Sequence, residues 1–267
     1  MGIFSRNKTK IAGGEALWHE RKCRQMIERN YRVFKKLRNK ALAEKDENKK
    51  IKKIRKAATW AVTNHTGLFA CNQLEEALCE IAQAHSAPLN KPNKNTVLHI
   101  LTTGYKTGGH TRVADKWIEF APEEETHSLA LIDQKMDDEP EFLYQTVKNN
   151  GGNVHFLDKK LTLLEKALEL RTLASNFETV VLHVHMQDPV PILAFGTEEF
   201  KSPVIFYNHA EHLFWLGVCV SDVVADLSRG SQQRSLERRQ CAKGVLFPVP
   251  VNTTESYPTK DQARKTL

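Results

Sequence analysis

Two adjacent glycines, Gly108 and Gly109, separate an apolar run from an amphipathic one, and His110 and Arg112 follow immediately. A glycine pair lets the backbone approach a ligand closely. A helix opening there presents unpaired N–H groups and a partial positive charge to an anion. Arg112, in the first turn, would add a forked donor to the same anion. Two further groups carry imidazoles with carboxylates close by: His185 with Gln187 and Asp188, and His209 with Glu211 and His212. At a cleft mouth such side chains take a proton from a hydroxyl or hold a sugar by hydrogen bonds. A Gly-Gly pair also serves a plain tight turn, and a histidine also serves a core, so the elements that position these residues decide between the readings.

The run Thr96–Thr103 is β-branched and apolar, Gly104–Gly109 breaks it, and a helix is predicted from His110. The pattern then repeats. Strands are predicted at 128–132, 153–157, 179–185 and 203–208, with helices at 139–149, 161–175 and 190–199 between them. A further strand over 218–227, a polar helix over 230–240 and a last strand over 245–249 complete the series. Strands alternating with helices imply parallel pairing through right-handed crossovers, and apolar runs such as Val180-Val181-Leu182 imply a sheet covered on both faces. The fold class is therefore α/β, a doubly wound parallel-sheet Rossmann-like domain over 95–251. In such a sheet ligands sit beyond the carboxyl ends of the strands where strand order reverses, which places His110, His185 and His209 near one crevice. His99 and His183 fall inside strands and are read as hydrogen-bonded core residues. Phe214-Trp215-Leu216-Gly217 reads as an apolar anchor and a turn.

Ahead of this domain lies a basic helical N-terminal arm and lead-in over 1–90. Helices are predicted from Glu15 to about Lys45, from Lys49 to about Thr63, and from Gln73 to Ala84 with Asn72 as its cap; 86–95 reads as a linker. Residues 1–56 hold nineteen Lys or Arg against six Asp or Glu, whereas the whole chain is only +7, so the remainder is acidic. An apolar stripe with a cationic back suits peripheral contact with an anionic membrane through residues 15–56. The same pattern describes a helix packed on its own domain. No nucleic acid is expected, because the aromatics lie on the apolar stripe and are not interleaved with the charges.

Composition bounds the remaining classes. With 40% hydrophobic and 27% charged residues the chain reads as an ordinary globular protein. It shows no spanning segment, secretory signal or myristoylation site, so the expected location is cytoplasmic, peripheral at the inner membrane surface if the arm makes contact. The five cysteines form no C-x-x-C pair and are read as reduced thiols. His183 with His185, or His209 with Glu211 and His212, supplies no three-ligand set at a familiar spacing, so no metal is expected. The glycine loop lacks both the Lys-Ser/Thr of a Walker motif and the G-x-G-x-x-G of dinucleotide binding, which lowers kinase and dehydrogenase readings.

The segments Thr103-Gly104-Tyr105-Lys106-Thr107-Gly108-Gly109-His110-Thr111-Arg112-Val113 and Asn208-His209-Ala210-Glu211-His212-Leu213-Phe214-Trp215-Leu216-Gly217 resemble the N-terminal half of bacterial glycosyltransferases of the GT-B fold. The lead-in Ala57–Leu78, with Asn64-His65-Thr66-Gly67-Leu68-Phe69, resembles the same group. The resemblance implies an acceptor-side domain that would face a second, donor-binding domain, with a nucleotide sugar and a glycan acceptor as ligands and no cofactor or essential metal. It assigns Gly108, Gly109 and Arg112 to the donor phosphates, and His110, Asp188, Glu211 and His212 join them as substrate-binding candidates from their place at the strand ends. His185 and His209 become the catalytic candidates. Residues 252–267, with a helix predicted over 259–267, read as the start of a linker toward a donor domain expected to be missing, so the chain alone is expected to bind weakly without turnover. The alternative is a non-catalytic carbohydrate- or partner-binding module.

Overall fold

The computed structural model describes residues 4–134 and 138–249, with side chains from residue 20 onward; the helix expected over 259–267 lies outside the described residues. Two helices lead. α1 spans Phe4–Leu42, beginning earlier than the apolar stripe suggested, and α2 spans Glu47–Thr63. The break between them is chemical: the Asp46 carboxylate accepts the Lys49 N–H at 2.8 Å and starts α2 as an N-cap. Ile51, Ile54, Ala58 and Ala61 of α2 face inward as the periodicity predicted. They join Phe34 and Ala41 of α1 in the same apolar core that covers the sheet. α3, Asn72–Ala84, has Cys71 at its cap position with no side-chain bond, so Asn72 opens the helix and does not cap it.

Seven strands follow: β1 (Asn93–Leu101), β2 (Thr126–Leu131), β3 (Val154–Phe156), β4 (Phe177–His183), β5 (Val204–Asn208), β6 (Val223–Asp226) and β7 (Gly244–Leu246). All pairings are parallel, in the order β3-β2-β1-β4-β5-β6-β7. The order reverses between β1 and β4, as expected of a doubly wound sheet. β1 begins three residues before the predicted strand. The Asn93 N–H reaches the Asn176 carbonyl at 2.9 Å, and an irregularity with Asn95 at φ 55° separates that first pair from the regular ladder. α4 (Gly109–Glu119) and α5 (Glu141–Asn149) cover one face. α6 (Leu163–Ala174), α7 (Val190–Phe195) and α8 (Arg229–Arg238), with α1–α3, cover the other, α8 through the bonds of Ser231 and Ser235 to Asp226. Alternation along β1 shows why both faces close: Leu98 and Ile100 enter the larger core and Leu101 the smaller.

The predicted strand over 218–227 is shorter than expected. Glu75, buried in α3, accepts the N–H groups of Gly217 (3.0 Å), Val218 (3.3 Å) and Cys219 (2.8 Å). Backbone donors committed to a carboxylate cannot pair in a ladder, so Val218–Val220 forms a 3-10 turn and the strand starts at Val223. Gly217, at φ 116°, supplies the left-handed bend. α7 stops at Phe195 because Gly196 presses on α3, where an added Cβ would lie 2.8 Å from Cys79 Sγ. Among the described residues no helix is long and apolar enough to cross a membrane.

One buried cation joins these helices. Arg171 in α6 is fully buried and donates to the carbonyls of Ala82 (2.9 Å), His85, Leu193 (2.7 Å) and Ala194 (2.7 Å), the otherwise unpaired ends of α3 and α7. Arg171→Ala is expected to lower the unfolding free energy by about 3 kcal/mol or more, because it strands several buried carbonyls at once. Urea unfolding of the variant measures this, and a loss below about 1 kcal/mol would show that water replaces the guanidinium.

Candidate functional site

The site is built where β1 and β4 diverge. β1 ends at Leu101, and residues 102–108 form the loop that enters α4. Gln134, beyond β2, grips this loop at both backbone groups of Gly104, its Oε1 accepting the N–H at 2.8 Å and its Nε2 donating to the carbonyl at 3.1 Å. Gly104 is required there, since a Cβ would meet Pro140 Cγ at 2.7 Å. Asp188 is nearly fully buried and accepts both the Thr102 hydroxyl (2.6 Å) and the Val190 N–H (3.0 Å), while Thr102 Oγ1 accepts the His185 N–H (2.9 Å). That chain of bonds fastens the ends of β1 and β4 together and holds His185 over the switch point.

The three candidate imidazoles gather there. The rings of His110 and His209 stack at 5.0 Å, and His110 meets His185 edge-on at 6.3 Å. Tyr105, from the glycine loop, stacks on His185 at 6.0 Å and its hydroxyl lies 3.0 Å from His185 Nε2. His110 Nε2 lies 3.2 Å from the Thr103 carbonyl, an acceptor only, so that nitrogen carries the proton and Nδ1 keeps its lone pair. The first intrahelical bond of α4 runs from the Arg112 N–H to the Gly108 carbonyl at 3.1 Å, which leaves the preceding N–H groups at the helix start. Among the described residues, no atom outside its chain neighbours and its own helix backbone lies within 4 Å of where a Gly109 Cβ would sit. Space is therefore open above those donors.

Other predicted residues lie apart from this cluster. Arg112 points along α4 toward α5, its guanidinium 3.6 Å from the Phe142 ring centre and 3.9 Å from Asp115 Oδ2. Asp188 is occupied by the two bonds described. Glu211 pairs with Arg234 at 2.6 Å and accepts from the Ser228 hydroxyl at 3.3 Å, on the side of α8. His212 is exposed. Trp215 is fully buried and stacked on Phe206 at 4.1 Å, in keeping with the reading of its segment as an anchor. The cluster lies outside the larger surface grooves, one of about 590 Å³ along α4 and α5 and one of about 460 Å³ between α1 and α2. Among the described residues, no group of three His, Cys, Asp or Glu is placed to hold a metal ion.

Tyr105 and Gln134 escape sequence reasoning. Tyr105 could have been flagged because it lies inside the glycine loop; nothing local marks Gln134. A second imidazole row runs beneath the cluster. His127 Nε2–H donates to Glu125 at 3.1 Å, His99 Nε2–H to His127 Nδ1 at 2.9 Å, and His183 Nε2–H to His99 Nδ1 at 2.9 Å. The carboxylate at one end sets the direction of every bond, so His183 Nδ1, buried and unpartnered, is left with a lone pair. His99 and His183 are thus hydrogen-bonded core residues, as expected.

Burial pushes every one of these imidazoles toward neutrality. His99 and His183 lie well below the ordinary histidine value, first through desolvation and then through neighbouring imidazoles. His110 and His185 are lowered by burial, opposed by the Thr103 carbonyl and by Asp188 respectively. His209 falls to about 3, from burial and then from His110. A neutral ring carries one donor and one acceptor, and His110, whose Nε2–H is held by the Thr103 carbonyl, keeps the Nδ1 lone pair to meet a hydroxyl group.

Fold and site together define a Rossmann-like α/β protein with an imidazole-lined crevice at the β1/β4 switch point. The chain matches no family model and no curated protein. Among solved structures it is similar to a mutant of the O-GlcNAc transferase of Thermobaculum terrenum, at 14% identity and a TM-score of 0.39, with 87% of this chain and 47% of that one covered. The chain spans about half the length of that protein. A similarity this distant leaves function to be read from the site.

The buried imidazoles link stability to pH. Their folded values lie below the unfolded value of 6.5, so the unfolded chain takes up protons first as pH falls. Stability is thus complete above 6.5 and declines through the window from 6.5 toward 3, each such group contributing up to about 1.4 kcal/mol per pH unit. Urea midpoints are expected to drop steadily below pH 6.5, and His209→Asn to flatten part of that slope. A midpoint unchanged across the upper half of the window would show that these rings are solvated.

Proposed function

We propose that this chain is the acceptor-side half of a GT-B-type glycosyltransferase, which moves a hexosyl group from a nucleotide sugar to a hydroxyl of a glycan or cell-surface precursor. The observation that carries the reading is the convergence of His110, His185 and His209 on the glycine loop at the switch point. The sequence resemblance of the loops at 103–113 and 208–217 supports it. In the reaction, an acceptor oxygen forms a bond to the anomeric carbon while the bond to the diphosphate oxygen breaks. The acceptor proton passes to an imidazole lone pair, and the leaving diphosphate is stabilised by the N–H groups that open α4 at Gly109.

The burial and hydrogen bonds of the rings support a division of roles. His185 is the better base, because its burial is opposed by Asp188 and its Nε2 is oriented by Tyr105. His209, held near 3, serves as a neutral hydrogen-bonding wall. The nucleotide sugar is a substrate, and no cofactor enters this scheme. Cytoplasmic location and peripheral contact with an anionic membrane belong to the same proposal, supported by the exposed Lys49, Lys52, Lys53 and Lys56 on the outer side of α2.

Titration of the purified chain with UDP or GDP is expected to move the imidazole nitrogen resonances of His110 and His209 and to leave those of His99 and His127 in place. With a nucleotide hexose and a glycan acceptor, His185→Ala should cut any turnover by about 100-fold or more. Tyr105→Phe should cut it less, while shifting the acid limb of the pH profile. Perturbed resonances with no turnover even when a donor-binding domain is supplied would favour the non-catalytic sugar-binding reading. Unperturbed resonances at millimolar nucleotide would remove both readings.

A further inference from the structure

Two thiols meet on the far side of the Glu75 clasp. Cys79, one helical turn beyond Glu75 in α3, has its sulfur 3.4 Å from that of Cys219. The contact is built in: Glu75 holds the backbone N–H groups of Gly217, Val218 and Cys219, so the same helix face that carries Cys79 fixes the segment that carries Cys219. Gly196 closes in from α7 against Cys79. The pair borders an open depression of about 290 Å³ lined by Glu75, Glu76, Val218 and Arg239, and Cys219 itself is exposed. Of the other cysteines, Cys71 and Cys241 are buried and Cys23 lies on α1.

We infer that Cys79 and Cys219 form a reversible, peroxide-sensitive disulfide site that staples α3 to the connection between β5 and β6. We take Cys79 as the attacking sulfur and Cys219 as the donor of the S–H···S contact; that contact favours the Cys79 thiolate, which burial and then Glu75, Glu76 and Glu80 oppose. The same contact, together with burial, raises the Cys219 thiol. The Cys79 thiolate attacks the O–O bond of a hydroperoxide, giving a sulfenic acid on Cys79 and releasing the alcohol, or water from hydrogen peroxide. The Cys219 sulfur then attacks the Cys79 sulfur, and hydroxide leaves and takes up the Cys219 proton as water. Two thiols lose two hydrogens, and the peroxide takes them up. The sulfurs need to close by roughly 1.4 Å to reach disulfide length, within reach of side-chain rotation.

The staple would close a loop between residues 140 apart in sequence and would restrain the segment whose Leu216 N–H bonds to the Met186 carbonyl at 2.9 Å, beside the strand ends of the crevice. The assignment stands independently of the proposed activity. Treating the full purified chain with hydrogen peroxide, alkylating with N-ethylmaleimide and mapping peptides without reductant tests it. The expected product is a single intramolecular Cys79–Cys219 cross-link, two hydrogens lighter, reversed by dithiothreitol and absent from Cys79→Ser and Cys219→Ser. The oxidised protein should also unfold at a higher temperature than the reduced one. Oxygen adducts at either cysteine without a cross-link, or all five thiols still alkylated at peroxide levels that oxidise a free thiol, would overturn the inference. Because the map of the unsubstituted chain decides this, a variant that fails to fold leaves the test intact.

Discussion

The pairing of β1 with β4 is the constraint on which the rest of this structure depends. The two strands run in parallel from Val97–Thr179 to Leu101–His183, and on either side of them the chain winds in opposite directions. The connections diverge at their carboxyl ends, which opens a crevice that no crossover covers. Thr102 and Asp188 lock that opening with hydroxyl and backbone bonds. The loops carrying His110, His185 and His209 then have little choice but to converge.

A parallel sheet must be covered on both faces, and here the covering helices are held by buried polar groups as much as by apolar contact. Glu75 clasps the turn before β6, and Arg171 ties the ends of α3 and α7. Asp226 gathers Asn208, Ser231 and Ser235, each at 2.8 Å or through Asn208 at 3.2–3.3 Å, to fix the polar helix α8. Each such group would be costly if left unpaired, so each selects one arrangement of its partners over near alternatives. The same logic explains α1 and α2. Their cationic side faces outward, but Phe34, Ile51 and Ile54 are buried with the sheet's own residues, so the basic segment is also part of the core.

The imidazoles show how burial turns one residue type to two ends. His127, His99 and His183 form a directed row that satisfies the interior of the sheet, whereas His110, His185 and His209 sit one layer further toward the crevice. All are kept neutral by desolvation. In the core that state preserves hydrogen bonds. At the crevice it preserves lone pairs able to meet a hydroxyl.

Much of the fold was legible because its signals are local. Alternating β-branched runs and 3.6-residue stripes placed every strand near its position, and the break between α1 and α2 was marked by the Asp46 cap. Parallel pairing and crossover handedness followed from the βαβ pattern, and the place of the crevice from the reversal that a doubly wound sheet carries. What only the tertiary structure decided is who meets whom across long separations. Asn93 joined β1 because Asn176 was there to accept its N–H, and 218–220 left the sheet because Glu75, some 140 residues earlier, captured its donors. Asp188 and Glu211, which the sequence offered as crevice groups, were claimed by Thr102 and Arg234, and Arg112 was drawn to Phe142. Residue types and spacing state what a side chain is able to do; whether its lone pairs are already spent depends on neighbours that only folding supplies.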